Sequence, residues 1–322
     1  MTNPINLSRR SALLGAAALP LVAGSGVLLS VGRTSAAGHS AGKTNAPFAH
    51  FKVGDFVVTT LLAGANPSEE PQKTFAMNAS PEDFAAASTA NFISTEKYVT
   101  YFTPTIVNTG ADVVLFDTGL PGGDNAPNVV AAMASAGYAP EDVTVVVITH
   151  MHPDHIGGLM NVGNPTFPNA KYFTGSAEYN FWSNMDAGNR VGDMVAGLVT
   201  PLADKMTFLE DGGSPASGIT AITAFGHTPG HMTYMVESGG QQLLLAADFA
   251  NHYVWSLAYP DWEVRFDGDK AAAAATRKRV LGMLAADKIP FIGYHMPFPA
   301  VGYVEAVDSG FRYVPESYQL AL

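Results

Sequence analysis

The segment Thr149-His150-Met151-His152-Pro153-Asp154-His155 puts three imidazoles and one carboxylate within six residues, directly after the apolar run 143–148. Residues two apart at a strand end point the same way, so His150 and His152 share a face. Pro153 breaks the strand and turns the chain, so Asp154 and His155 point elsewhere from the start of a helix. Gly157 and Gly158 allow close backbone approach there. Two splayed pairs of nitrogen and oxygen ligands suit two cations better than one. Zinc is the expected ion, and manganese, iron or cobalt also fit imidazole and carboxylate ligands. A lone buried histidine is usually a hydrogen-bonded core residue, but a cluster this polar is costly to bury without coordination.

Three later residues share this setting. His227 lies in Gly226-His227-Thr228-Pro229-Gly230-His231 after run 220–225. Asp248 ends the run Leu243-Leu244-Leu245-Ala246-Ala247, and His295 follows Phe291-Ile292-Gly293-Tyr294. Each is a metal-capable residue at the end of an apolar strand. Taken singly they read equally well as caps; together they supply the ligands that two cations would otherwise lack.

The positioning elements follow from period and punctuation. Strands are expected at 51–60, 98–107, 112–116, 143–148, 205–209, 220–225, 232–236, 242–246 and 290–293. The 98–107 and 112–116 strands are joined across Asn108-Thr109-Gly110-Ala111. Helices are expected at 125–136, 176–184, 192–198 and 269–286, the last Ala-rich and amphipathic. Ser80-Pro81-Glu82-Asp83 reads as an N-cap with Pro in the first turn, opening a short helix within a polar insertion or lid at 66–95. Interleaved strands and helices place residues 48–322 in one α+β domain.

The N-terminus differs from the rest. Asn6-Leu7-Ser8-Arg9-Arg10 precedes an apolar run to about Val31, then the small residues Thr34-Ser35-Ala36-Ala37. This is the pattern of a twin-arginine signal peptide over 1–37, followed by a flexible lead-in at 38–47. It implies the twin-arginine export machinery as a partner and a periplasmic or secreted location. The 322 residues include no cysteine, which excludes thiolate metal sites and a cysteine nucleophile. The net charge is −11, and Arg9, Arg10 and Arg33 all lie in the expected leader, so the body is more acidic still. Such a body repels phosphate backbones, which argues against nucleic acid as a partner. No Gly-x-Ser-x-Gly nucleophile elbow occurs.

His150-Met151-His152-Pro153-Asp154-His155, followed in order by His227, Asp248 and His295, resembles the dinuclear site of the metallo-β-lactamase superfamily. The resemblance implies an αββα sandwich. It implies that His150, His152 and His227 hold one ion, that Asp154, His155 and His295 hold the other, and that Asp248 bridges them. Asp117, in Asp117-Thr118-Gly119, resembles the acid that orients a ligand histidine. The Asp248-to-His252 segment, Arg277-Lys278-Arg279 and the stretch from Gly293 to Pro299 resemble a narrower group, the exported methyl parathion hydrolase-like and lactonase-like enzymes. One position departs: the best-known homoserine lactonases carry a tyrosine three residues after the bridging acid, where this chain has Asn251.

The resemblance implies hydrolysis by water ionised between two divalent cations, with Asp154 and Asp248 as catalytic carboxylates. Neutral lactones, aryl esters or phosphotriesters are the expected small-molecule substrates. The alternatives are a β-lactam hydrolase and a non-catalytic periplasmic metal-binding or sensing module. The apolar Met296-Pro297-Phe298 offers no cation for a β-lactam carboxylate. The sequence leaves the oligomeric state open, with a homodimer among the options. His252 is expected beside the ligand set, at the surface or at the pocket rim, and His231 as a packing or hydrogen-bonding residue. Phe181, Trp255, Tyr259, Trp262 and Phe298 are candidates for an aromatic substrate wall.

Overall fold

Alternation of apolar and β-branched residues produces most of the strands, and glycine or proline ends them. The computed structural model describes residues 46–122, 128–308 and 310–317. The expected signal peptide at 1–37, most of the lead-in, and the start of the 125–136 helix lie outside these. The first strands, β1 (Phe48–Val53) and β2 (Phe56–Leu61), form a hairpin where one strand was expected over 51–60. The turn is Gly54-Asp55; Gly54 has φ +56°, and a Cβ there would lie 2.3 Å from the Ser238 carbonyl oxygen. Strand β3 (Gly64–Glu69) opens the segment expected to be a loop-rich lid, and α1 (Pro81–Ala90) follows. The Ser80 hydroxyl caps α1 by accepting from Asp83 N at 3.0 Å.

The expected strand 98–107 is two. β4 (Lys97–Phe102) pairs with β3 in a separate two-stranded sheet, whereas β5 (Thr105–Asn108) joins the main one. Pro104 separates them, since it has no N–H to donate and restricts Thr103 before it. Next come β6 (Val113–Phe116), α2 (Val129–Ser135), β7 (Val145–Ile148) and α3 (Pro153–Ile156). The pair β8 (Met160–Asn161) and β9 (Asn164–Pro165) leads to β10 (Lys171–Gly175), a strand not expected from the sequence. Helices α4 (Ser176–Ser183) and α5 (Arg190–Leu198) precede β11 (Met206–Leu209). The second half holds β12 (Ile219–Thr223), β13 (Met232–Ser238), β14 (Gln241–Ala247), α6 (Lys270–Asp287) and β15 (Phe291–Gly293). Two strands that were not anticipated, β16 (Val301–Val307) and β17 (Gly310–Pro315), complete it.

These strands form a seven-stranded sheet, β1-β2-β5-β6-β7-β10-β11, and a six-stranded sheet, β12-β13-β14-β15-β16-β17. Strand β7 lies inside the sheet, parallel to both neighbours, and all four of its residues are buried. Its side chains divide the molecule. Val145 and Val147 join the core between the sheets with Tyr234 and Leu244, while Val146 and Ile148 pack outward against residues of α2 and α5 such as Met133 and Val195. Helix α6 covers the second sheet with a buried stripe at Ala273, Thr276, Arg277, Val280, Leu281 and Leu284, the three-and-four spacing of one helical face. The layers are helix, sheet, sheet, helix, the expected αββα sandwich.

Candidate metal centre

The C-terminal ends of β7, β12, β14 and β15 converge on one sheet edge, and loops leaving them carry every expected ligand. Two sites of backbone strain mark this edge. Asp117 (φ +59°) follows β6, and Ala247 (φ +49°) immediately precedes Asp248. Left-handed conformations in residues with a Cβ cost about 1–3 kcal/mol and persist where surrounding contacts fix them. Gly226, at φ +125°, lets the next residue, His227, lie against α6; a Cβ at Gly226 would fall 2.2 Å from Ala273 N.

Two groups of side chains present ligand atoms that lie within 4.8 Å of one another: His150, His152 and His227 in one, Asp154, His155, Asp248 and His295 in the other. His152 Nδ1 lies 3.2 Å from His150 Nε2 and 2.9 Å from His227 Nε2. Asp248 reaches both groups. Its Oδ2 is 3.5 Å from His227 Nε2 and 2.9 Å from His295 Nε2, and its Oδ1 is 3.4 Å from His155 Nε2. Asp154 Oδ2 lies 3.4 Å from His295 Nε2 and 3.6 Å from His155 Nε2.

The outer nitrogens decide what the inner ones offer. His155 Nδ1 donates to Asp117 Oδ2 at 2.8 Å, and His227 Nδ1 donates to Asp267 Oδ1 at 2.9 Å. His295 Nδ1 donates to the Tyr101 carbonyl at 2.7 Å. The Thr149 hydroxyl donates to Asp117 Oδ2, which leaves its oxygen to accept from His150 Nδ1 at 3.1 Å. A neutral imidazole has one N–H, so all four Nε2 atoms turn bare lone pairs toward the centre. His155 Nε2 and Asp248 Oδ1 are buried with no hydrogen-bond partner. Converging lone pairs and carboxylate oxygens, most of them buried, fit divalent cations, and little else would reconcile them. Burial and the neighbouring His155 hold His150 well below the usual histidine pKa, and so in its ligating form. Burial lowers His155 too, but the carboxylates of Asp248, Asp117 and Asp154 outweigh it and raise the ring well above the usual value, a demand for positive charge that a cation at Nε2 would meet in place of a proton.

Asp117 is placed as expected: beyond His155, it accepts from Thr149 N at 2.9 Å. Two further supports were not anticipated. Asp267 holds His227 and is itself gripped by Arg277, Nη1 to Oδ2 at 2.8 Å, with both side chains fully buried. Glu178, also buried, accepts from Met151 N (2.8 Å), Trp182 Nε1 (2.7 Å), Thr228 Oγ1 (2.6 Å) and Gly230 N (2.9 Å), so one carboxylate ties together the loops carrying His150 and His227. Arg277 had a signal in the sequence, since the α6 apolar stripe runs through it. Glu178 had none.

Other expectations are corrected. His252 accepts from Val254 N and Trp255 N and stacks on Trp255 at 3.9 Å, so it caps a turn and supports no ligand. His231 Nε2 accepts from Asp248 N at 3.0 Å, a hydrogen-bonding part as expected, here fixing the backbone at Asp248. Trp255 is core, packed on Phe75 and Phe84, and Tyr259 stacks on Trp262 at 3.9 Å away from the centre. Phe298 lines neither cleft that opens on the cluster.

One cleft, of about 410 Å³, contains His152, Asp154, His227, Asp248 and His295 in its lining, with Tyr98, Phe102, Leu120 and Phe266 as its apolar wall. A second, of about 600 Å³, shares His152, His227, Arg265 and Phe266 and adds Phe181, of the expected wall, and Phe225. Arg190 and Arg265 also line the first cleft. The His295 loop supplies no cation, as expected, but two arginines reach the cleft from segments remote from it.

An αββα sandwich whose strand ends gather an all-imidazole group and an imidazole–carboxylate group defines a scaffold with a candidate two-ion metal centre. Residues 103–290 match the model of the metallo-beta-lactamase superfamily, and the chain belongs to that superfamily. It is 25% identical over 177 residues to an N-acyl homoserine lactonase of Bacillus cereus, a match covering 54% of this chain and 65% of that relative's length. The solved structure of AidC, a dizinc quorum-quenching lactonase in complex with a product N-hexanoyl-L-homoserine, superimposes with a TM-score of 0.79 at 26% identity, over 84% of this chain and 98% of that one. The solved structure of a hydrolase, AbOPH, described as in the beta lactamase superfamily, has the same fold, with a TM-score of 0.77 at 23% identity over 86% of this chain and 99% of that one.

Proposed function

We propose that the protein is a dinuclear metal hydrolase that opens lactones or cleaves esters of small molecules. His150, His152 and His227 would hold one ion, Asp154, His155 and His295 the other, with Asp248 between them. Two divalent ions, zinc by preference of the ligand set, would supply ionised water near neutral pH and polarise the carbonyl under attack. The observation that carries this reading is Asp248, whose two oxygens reach histidines of both groups.

The chain's own residues do the rest. Asp117 and Asp267 fix the His155 and His227 rings, so the inner lone pairs are aimed before substrate arrives. Asp154, the more exposed of the two cluster acids, faces the cleft; with Oδ2 turned to the ligand histidines, its Oδ1 can take the proton released by the attacking water and give it to the departing oxygen. Asn251 Nδ2 donates to Asp248 Oδ2 at 3.2 Å. It therefore steadies the bridging acid where the best-known lactonases have a tyrosine, and the carbonyl must be held by other groups. Tyr98, Phe102, Leu120 and Phe266 exclude water around an apolar portion of the substrate.

Zinc-reconstituted full-length protein assayed on dihydrocoumarin, a 4-nitrophenyl ester, a phosphotriester and a β-lactam tests this. Turnover of the first two, lost on chelation and restored by zinc, is expected. Cleavage of the β-lactam alone would overturn the reading.

A further inference from the structure

We propose that Arg190 and Arg265 form an anion-receiving subsite, so that the substrate carries a carboxylate or similar anion remote from the bond that is cut. This rests on the hydrolytic reading above and narrows its substrate class.

The chain has eleven more acidic than basic charges, yet two guanidinium groups go unclaimed. Five arginines fall among the described residues. Arg277 is bound by Asp267, Arg279 Nη2 donates to the Thr223 carbonyl at 2.6 Å, and Arg312 is paired with Glu305. Among the described residues, the remaining two, Arg190 and Arg265, have no carboxylate partner, and both line the cleft that holds Asp154, Asp248 and His295. Among the described residues the other three arginines are held by a carboxylate or a backbone carbonyl, whereas these two guanidinium groups have neither and are open to an incoming anion. No lysine lines that cleft. Its carboxylates, Asp154 and Asp248, are both part of the metal cluster.

The backbone beneath Arg265 is clamped. Arg265 N donates to the Thr74 carbonyl at 2.7 Å, and Lys270 Nζ donates to the carbonyls of Val264, Arg265 and Asp267 at 2.6, 3.1 and 2.5 Å. The guanidinium carbon sits 4.6 Å above the Phe266 ring, which orients it without neutralising it. Arg190 stands on the first turn of α5, fixed by the Asn189 side chain accepting from Val191 N and Gly192 N. Apolar residues of the same cleft accompany the two cations. The matching substrate is an ester or lactone with a short apolar spacer ending in an acid.

The test compares 4-nitrophenyl butyrate with mono-4-nitrophenyl glutarate, similar acyl chains of which one ends in a carboxylate, on zinc-reconstituted full-length protein. The wild type should prefer the acidic ester. In R190Q/R265Q the ratio of kcat/KM for the acidic to the neutral ester should fall about three- to tenfold, through KM, and salt should shrink the wild-type preference. No wild-type preference, or one that survives both substitutions, overturns the subsite. If neither ester is turned over, the hydrolytic reading fails separately. Glutarate binding by calorimetry then reads the arginines: weaker binding in the double variant supports the subsite, and equal binding overturns it.

Discussion

Replacing Asp267 with Asn probes how the centre is held without touching a ligand. The substitution preserves shape but allows only one oxygen. If that oxygen keeps His227 Nδ1, the new amide N–H₂ faces Arg277 Nη1 across the present 2.8 Å contact, donor against donor. Leaving one partner of a buried ion pair uncompensated costs about 3–5 kcal/mol. Arg277 retains the Pro260 carbonyl at 2.8 Å and the Trp262 carbonyl at 3.2 Å, so the lower end, about 3 kcal/mol, is expected. With a urea m-value of about 3 kcal/mol/M, the unfolding midpoint falls by about 1 M. Loss of the charge behind His227 should also weaken the ion of the His150–His152–His227 group by about 10- to 100-fold, measured by chelator competition with zinc. The double variant D267N/R277M separates the two effects. It removes the stranded guanidinium, so most of the stability should return while zinc affinity stays low. Affinity that recovers with stability, or never falls, would refute the argument that Asp267 acts on the ion through His227.

Further outcomes follow from the same contacts. Glu178→Gln sets an amide N–H₂ against N–H and O–H donors on one side, and should cost about 2–4 kcal/mol in urea unfolding as the two histidine loops part. Gly230→Ala puts a Cβ 2.0 Å from Glu178 N, so it should destabilise by about 1–3 kcal/mol and depress turnover through the same joint. His252 is pushed down to about 3 by burial, below its unfolded value. Its contribution to stability is therefore complete above pH about 6.5 and lost as pH falls toward about 3. A His252→Asn variant, which keeps an acceptor for Val254 N and Trp255 N, should show a flatter decline of Tm between neutral and acid pH than the wild type.

The ligands were legible because each sits at the end of an apolar run, and the first cluster is contiguous in the chain. The helices were legible for a related reason: Ser80 and Asp269 mark their starts with side chains that do cap them. What escaped depended on residues meeting in space. Glu178 reaches Gly230 across 52 positions and His227 reaches Asp267 across 40, and neither distance leaves a trace in local pattern. The strand over 98–107 read as continuous because alternation persists through it, although Pro104 sends its halves to different sheets. β10, with Lys171 and Thr174 among apolar residues, lacked the apolar density of β7 although it lies next to it. Nothing in local pattern marks Arg190 or Arg265, and only the fold brings both to one cleft.

The most direct test is metal stoichiometry. Full-length protein freed of metal, dialysed against zinc and analysed for its content should hold two tightly bound ions per chain, and an Asp248→Ala variant should lose at least one. A chain that takes up no zinc, or an Asp248→Ala variant that still holds two, would contradict the account.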